Sequence, residues 1–353
     1  MIGKMKYIYL TIGSFLQNIL KKYDIYYITE IANWSIKDDG KNIKKYLEKK
    51  IKIELSYTGY GVRNSLIHYG TEGVFFNSKR IKVPHRSNKV IVTWFHMKDD
   101  DPKIKKILEA DLYVDLWHTS CEITKNKLIK QGINENKIRL IPLGIDLDIY
   151  RPLDKNQIIQ KREKLGIPKD YIVIGSFQKD GIGWGEGLEP KMEKGPDVFC
   201  DVIEKLSQKY KIFVLLTGPA RGYVKNRLNK SNVKFLHRFL ENSKDVVNYF
   251  QLCDLYIVAS RVEGGPKAIL ESMACGVPIV STKVGMAPDV IEDQKDGMLC
   301  EIENSDEIYE KCRLILDNDK YKDILVKNGL LKVQKYDYNN ISKEYLKMYR
   351  ELM

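Results

Sequence analysis

Cysteine is sparse and scattered. The six residues Cys121, Cys200, Cys253, Cys275, Cys300 and Cys312 form no CxxC pair and no ligand-like spacing. This argues against a disulfide framework or a cysteine zinc site and fits a reducing, cytoplasmic compartment. No stretch approaches the ~18 uninterrupted apolar residues of a membrane span. Internal repeats and low-complexity segments are also lacking. One apolar run, residues 7–20, follows Lys4 and Lys6 but is broken by Thr11, Gly13, Ser14, Gln17 and Asn18. No small-residue cleavage site follows it, so it reads as a first β-strand at 7–12 leading into a loop and helix, not as a secretory leader.

What is present is a globular balance. Of 353 residues, 43% are apolar and 30% charged, enough for two domains with sizeable cores. The net charge of +12 is unevenly placed. Residues 1–150 carry 26 Lys and Arg against 17 Asp and Glu, whereas residues 151–353 carry 33 against 30. A basic amino-terminal half attracts phosphates, acidic substrates or anionic lipid, and weak, salt-sensitive peripheral contact with an anionic membrane is expected. The plain alternative is a solvated lysine-rich surface.

Short β-rich runs alternate with helical stretches. In the first half the runs are 7–12, 25–29, 90–94, 112–117 and 138–141, with helical segments at 101–109 and 120–131; residues 30–80 give no firm pattern. In the second half strands are expected at 171–177, 211–217, 254–259 and 277–281, and helices at 196–209, 244–252 and 266–275. Strands separated by crossover helices predict parallel sheets of βαβ units. Residues 142–152, with Pro, Gly and Asp, read as a linker. The expected organisation is an amino-terminal domain at 1–148, a second domain at 149–335 and a terminal helix at 336–353 that packs back on the first domain.

The strongest chemical signal is Glu263-Gly264-Gly265-Pro266-Lys267-Ala268-Ile269-Leu270-Glu271. A strand ends in a loop holding Glu263, and two glycines let a ligand approach the backbone. Pro266 suits a first helical turn, whose exposed amides favour an anion. Glu271 lies about two helical turns from the loop, so the two carboxylates can meet opposite ends of an extended ligand, as in a nucleotide sugar. A second loop, residues 178–195, leaves the carboxyl end of a strand and carries Gly181, Gly183, Gly185 and Gly187 before Lys194-Gly195. Open α/β sheets place ligands there. The loop reads as a mobile flap or a surface insertion. Asp99, Asp100 and Asp101 precede a proline and a Lys-rich helix, the ordinary acidic start of a helix rather than a cation site.

The full run from Glu263 to Val280, with Met273-Ala274, Gly276 and Pro278, resembles the signature of the family-4 glycosyltransferases. The passage 141–152 and Asp296-Gly297 support the resemblance; the first 80 residues carry little of it. The resemblance implies a GT-B fold, α/β, with two facing Rossmann-like doubly wound domains and a deep cleft between them. It implies a retaining glycosyltransferase with a nucleoside-diphosphate sugar donor, UDP the commonest, no cofactor and no essential metal. The acceptor would be a sugar, a glycan or a lipid-linked sugar, and nucleic acid is not expected.

By the same resemblance Glu263 would position the sugar and stabilise charge at its anomeric carbon. Lys194 and Lys179, with amides near Gly264, Gly265, Pro266, Lys267 and Ala268, would hold the diphosphate, and Glu271 the ribose diol. Arg238 lies in the segment expected to cup the base. His96, with His118 as a weaker candidate, would touch the sugar from the first domain. The arginine that usually joins the Lys-Gly pair is missing, with Gln178 or Lys179 in its place; lysine lacks the planar fork, so the clamp is altered. A silent nucleotide-sugar-binding protein and a GT-B epimerase are the alternatives.

Overall fold

The computed structural model describes residues 2–31, 35–76 and 80–353. The chain divides into two compact units, residues 1–144 with 338–353, and residues 145–337. The first contains α1 (Ile2–Leu20), β1 (Ile25–Ile28), α2 (Ser35–Leu47), β2 (Ile53–Ser56), β3 (Leu66–Tyr69), α3 (Glu72–Phe75), β4 (Lys89–Thr93), α4 (Ile107–Asp111), β5 (Leu116–Thr119), α5 (Glu122–Lys130) and β6 (Ile138–Leu140). The second begins with α6 (Lys155–Lys164), β7 (Ile172–Phe177), α7 (Pro196–Ser207), β8 (Ile212–Thr217), α8 (Gly222–Lys230) and β9 (Lys234–Arg238). It continues with α9 (Val247–Phe250), β10 (Leu255–Val258), α10 (Ala268–Ala274), β11 (Ile279–Thr282), α11 (Ala287–Val290), β12 (Met298–Cys300), α12 (Ser305–Leu316) and α13 (Asp319–Val333). The last helix, α14 (Tyr338–Arg350), belongs to the first unit.

Each unit is built on a six-stranded parallel sheet, in the orders β2-β1-β3-β4-β5-β6 and β12-β11-β10-β7-β8-β9. Strands such as β1, β3, β8 and β11 are buried along their whole length, as expected when helices cover both faces. In the second unit the strand order reverses between β7 and β10, and in the first between β1 and β3. Loops at the carboxyl ends of such strand pairs diverge and leave a crevice, the usual ligand position in open α/β sheets.

The expected strand at 7–12 is not one: residues 2–20 form α1. The polar residues that interrupt the apolar run share a helical face. Ser14 and Asn18 are buried, while Ile8, Ile12, Phe15, Leu16 and Ile19 are exposed. Asn18 donates to the carbonyls of Thr58 and Tyr60 and accepts from the Ser56 hydroxyl, and the Tyr57 N–H donates to the Ser14 hydroxyl. The expected strand at 112–117 starts only at Leu116, because Leu112 and Tyr113 stand in solvent after α4.

His68 and His118 are fully buried in the first unit, so His118 is not a substrate-facing group. They belong to one hydrogen-bonded chain: Tyr349 hydroxyl to His68 Nδ1, His68 Nε2 to Thr93 Oγ1, Thr93 Oγ1 to His118 Nδ1, and His118 Nε2 to the Ile141 carbonyl, at 2.8–3.0 Å. A carbonyl only accepts, so His118 carries its proton on Nε2 and accepts on Nδ1 from Thr93. Thr93 then accepts from His68 Nε2–H, and Tyr349 donates to His68. Both imidazoles are neutral in this arrangement, and the chain ties α14 to β3, β4 and β5.

Burial pushes the His118 pKa down to about 4 and holds that of His68 well below its ordinary value, with His118 adding to the effect. A histidine whose folded pKa is depressed contributes stability that is complete above its unfolded value, near 6.5, and is lost as pH falls from there towards the folded value. Urea unfolding of the wild-type chain should therefore weaken between pH 6.5 and about 4, by up to about 1.4 kcal/mol per pH unit for each histidine. His118→Gln should shallow that slope by about one proton's worth. An unchanged slope would place the proton uptake elsewhere.

Candidate active site

The groups singled out in the second half, Arg238 apart, gather at the carboxyl ends of β7 and β10. The loop after β7 runs back towards the loop after β10, and backbone contacts lock the two together. The N–H groups of Arg261 and Val262 both donate to the Glu193 carbonyl. The Arg261 guanidinium adds a bidentate pair to Asp197, at 2.8 and 2.7 Å, and a bond to the Met192 carbonyl. Gly195 sits at the join with φ +58°, and a Cβ there would lie 1.8 Å from the Ala259 carbonyl oxygen. Only glycine fits this approach. Pro196 then opens α7.

This join places Lys194 Nζ 2.6 Å from Glu263 Oε1. The Ser260 hydroxyl donates to the same oxygen at 2.9 Å. The Glu263 carboxylate is nearly buried, and the Lys194 ammonium partly so. An ammonium has three donors, and one is engaged with Glu263, so the same lysine can hold the carboxylate and still address an anion. Gln178 donates to the Lys194 carbonyl at 3.2 Å. The amide of Gln178, one of the two residues expected in the arginine's place, thus braces the lysine's backbone.

Gly264 and Gly265 follow Glu263, and the carbonyl of Gly264 lies where a Cβ on Gly285 would be, at 2.5 Å. The first turn of the following helix opens with the Ile269 N–H donating to Pro266, and Lys267 immediately precedes α10, which begins at Ala268. Glu271 lies in α10 and accepts from the Tyr150 hydroxyl at 3.0 Å. Burial beside this carboxylate raises the Tyr150 pKa well above its ordinary value, so the phenol stays protonated and donates. Tyr150 was hidden in the linker; its only sequence signal is that it is the one aromatic residue of 142–152.

The Gly-rich loop is pinned at its base, and its tip around Trp184 stays exposed. Arg221 is buried and donates to the carbonyls of Ser176, Gln178 and Thr217 and to the Ser176 hydroxyl. Its Nε lies 2.9 Å from Asp180, which is also buried. Burial raises the Asp180 pKa, against the pull of Arg221. Gly181 and Gly187 both approach the Ala220 backbone so closely that neither could carry a Cβ. The Gly222 and Tyr223 N–H groups donate to Glu186 and Gly187. Gly183 and Gly185 face open space. Lys179 Nζ stands 4.4 Å from the centre of the Trp184 ring at the exposed tip. The loop signal Gly218-Pro219 gave no hint that the following Arg221 is the anchor.

One expected residue of the second unit does not join this cluster. Arg238 ends the edge strand β9, exposed, and donates to its neighbour's carbonyl. His96 belongs to the first unit, exposed in the loop three residues past β4. Asp101 caps the Lys103 N–H, and Asp99 pairs with Lys127. Among the described residues, no group of three or more His, Cys, Asp or Glu is placed to hold a metal ion.

Residues 189–331 match the model of the glycosyl transferases of group 1. That stretch is similar to the group 1 glycosyltransferases. The chain is 30% identical over 223 residues to the N,N'-diacetylbacillosaminyl-diphospho-undecaprenol alpha-1,3-N-acetylgalactosaminyltransferase of Campylobacter jejuni, covering 62% of this chain and 55% of that protein. It is 23% identical over 262 residues to the D-inositol 3-phosphate glycosyltransferase of Saccharomonospora viridis, covering 70% and 57%. The chain spans little more than half the length of these two curated relatives. Among solved structures, Anabaena Alr3699/HepE in complex with UDP and glucose superposes with a TM-score of 0.73 at 17% identity, over 94% of this chain and 100% of that one. The sucrose-phosphate synthase of Thermosynechococcus elongatus gives 0.66 at 17% identity, over 90% and 78%. These likenesses show a two-domain GT-B α/β fold.

Two glycines of the loop separate the join from the tip. Gly195→Ala should destabilise the protein by at least about 1–3 kcal/mol, because the left-handed backbone and the clash with Ala259 must both be relieved. Gly185→Ala, at an open position, should stay within about 0.5 kcal/mol of wild type. Arg221→Met should cost about 3–5 kcal/mol by leaving the buried Asp180 carboxylate without its partner. Urea unfolding checks all three.

Proposed function

We propose that the protein is a glycosyltransferase that takes its sugar from a nucleoside-diphosphate sugar held by the second unit, with retention at the anomeric carbon and without a metal ion. The observation that carries this reading is the Lys194–Glu263 pair at the strand-order reversal between β7 and β10, with Glu271 on the helix that follows the same loop. The group 1 match over residues 189–331 covers the elements that supply all three residues. The Anabaena neighbour was solved with UDP and glucose, which supports a UDP-sugar as donor. A sugar, a glycan or a lipid-linked sugar is the acceptor class, the last in keeping with the name of the Campylobacter relative.

In this reading, charge builds on the leaving diphosphate as the glycosidic bond breaks. Lys194, Lys179 and the amides around Gly264 and Gly265 oppose that charge. Pre-aimed donors in a partly desolvated site do so without reorganising during the reaction. Glu263, held by Lys194 and Ser260, faces the sugar and stabilises positive charge at the anomeric carbon. The departing phosphate takes the acceptor proton on the face it leaves, which retains the configuration. Tyr150 sets the orientation in which Glu271 accepts from the ribose diol. No step needs a divalent cation, because lysine and amide donors meet the diphosphate.

The roles can be separated with a UDP-sugar, using slow donor hydrolysis and calorimetry with UDP. Lys194→Ala should slow turnover by roughly 10²-fold or more, the scale for one oriented charge-stabilising donor. Glu271→Gln should weaken UDP binding by about 1.5–3 kcal/mol and appear in KM. Glu263→Gln should lower kcat and leave UDP binding near wild type. A reversed pattern would exchange the two glutamates' roles, and no effect from either would remove the reading.

A chelator should leave donor turnover unchanged. Loss of activity with chelator and its recovery with magnesium or manganese would overturn the metal-free part of the proposal.

A further inference from the structure

We propose that α1 and the groove beside it form a docking surface for an anionic lipid bilayer, with the outer face of α1 lying in the headgroup layer. The inference does not rest on the transferase reading. Its starting point is the inverted packing of α1. The helix gives its polar side chains, Ser14 and Asn18, to the protein interior and turns Ile8, Ile12, Phe15, Leu16 and Ile19 to solvent. Tyr9 and Leu20 beside them are 78% and 80% exposed.

This orientation is fixed from inside. Rotating α1 to bury its apolar face would break the four hydrogen bonds that Ser14 and Asn18 make with residues 56–60. It would also separate Phe15 and Ile19 from Gly61, whose left-handed backbone brings it against both. The apolar face is therefore part of the fold and not a failure to pack. Left in water, it forfeits the burial free energy of five large side chains.

Charge decides which covering surface fits. The first 23 residues hold no Asp or Glu. Beside α1 lies a cavity of about 920 Å³, lined by Phe15 and Ile19 and by Lys21, Lys22, Arg63 and Lys82, with no acidic residue among the described residues of its wall. Tyr60 and Val83 continue the exposed apolar surface at its rim. A second copy of the chain related by a two-fold axis would bring these cations against their own kind. An anionic bilayer supplies acyl chain for the apolar face and phosphate for the cavity at the same depth. That combination of an apolar face flanked by lysines is how in-plane helices bind membranes. No described helix is long and apolar enough to cross a membrane, so the contact is interfacial.

The test uses the full chain with vesicles of phosphatidylcholine alone or mixed with phosphatidylglycerol. Co-sedimentation should appear with the anionic vesicles, weaken as salt rises and keep a salt-resistant remainder from the apolar face. Lys21→Glu with Lys22→Glu should weaken it by at least about fivefold per cation removed. Ile12→Asp with Leu16→Asp, both at exposed positions, should weaken it by at least about tenfold and remove the remainder. Phe15→Trp should shift its fluorescence to the blue on anionic vesicles and be quenched by brominated acyl chains. No binding to either vesicle, or binding indifferent to the apolar pair, would overturn the proposal. So would a dimer in solution that those aspartates dissociate, because the face would then belong to a second copy.

Discussion

The chemistry of the second unit depends on one backbone approach. Gly195 comes against the Ala259 carbonyl, and that contact fixes the distance between the loops after β7 and β10. The Lys194–Glu263 pair hangs from it. The Glu193 carbonyl receives two N–H groups of the opposite loop, and Arg261 reaches over to Asp197 at the start of α7. Lys194 and Glu263, one residue away from these anchors on either side, have little choice but to meet. An ion pair between flexible surface chains would contribute little. Here the pair is set by main-chain geometry before the side chains find each other, which is what preorganisation requires.

The parts legible in the sequence are those that rest on local chemistry. Lys194-Gly195 and the run from Glu263 to Glu271 could be read because glycine, proline and charge at fixed offsets make a strand–loop–helix join, and the strands of the second unit showed as continuous apolar runs. The parts that stayed hidden depend on distant partners. Arg221 looks like any arginine after a turn, and only the carbonyls of Ser176, Gln178 and Thr217 make it a buried anchor. The histidine chain joins residues from β3, β4 and β5 through strand register, with Ile67 beside Val90 and Thr93 beside His118, which no single segment reveals.

The misreading of α1 has a different cause. Ser14 and Asn18 are four residues apart, and helical period was available in the pattern. The expectation that polar residues face water turned those positions into interruptions of a strand. In the fold the two side chains complete the hydrogen bonding of residues 56–60, a loop that leaves β2 with carbonyls to satisfy. Buried carbonyls need donors wherever they come from. The helix supplies them and exposes its apolar side as the consequence.

The same rule orders the charges at the strand-order reversals of both sheets. At the ends of β1 and β3 in the first unit, Glu30 and Glu72 lie close enough that burial and the neighbouring Glu72 raise the Glu30 pKa. Lys103 answers by pairing with Glu72 at 3.1 Å and Asp101 at 3.2 Å. In the second unit Lys194 answers Glu263, and Arg221 answers Asp180. A parallel sheet gathers its loops on one rim, where polar groups are partly withdrawn from water and charges must be matched at short range. The difference lies in depth. Arg221 and Asp180 are sealed and hold the loop, whereas Lys194 keeps part of its ammonium open to solvent. A sealed pair is scaffold; a pair with one accessible partner can keep its carboxylate contact and still turn donors to an anion, and this separates the site from the framework that carries it.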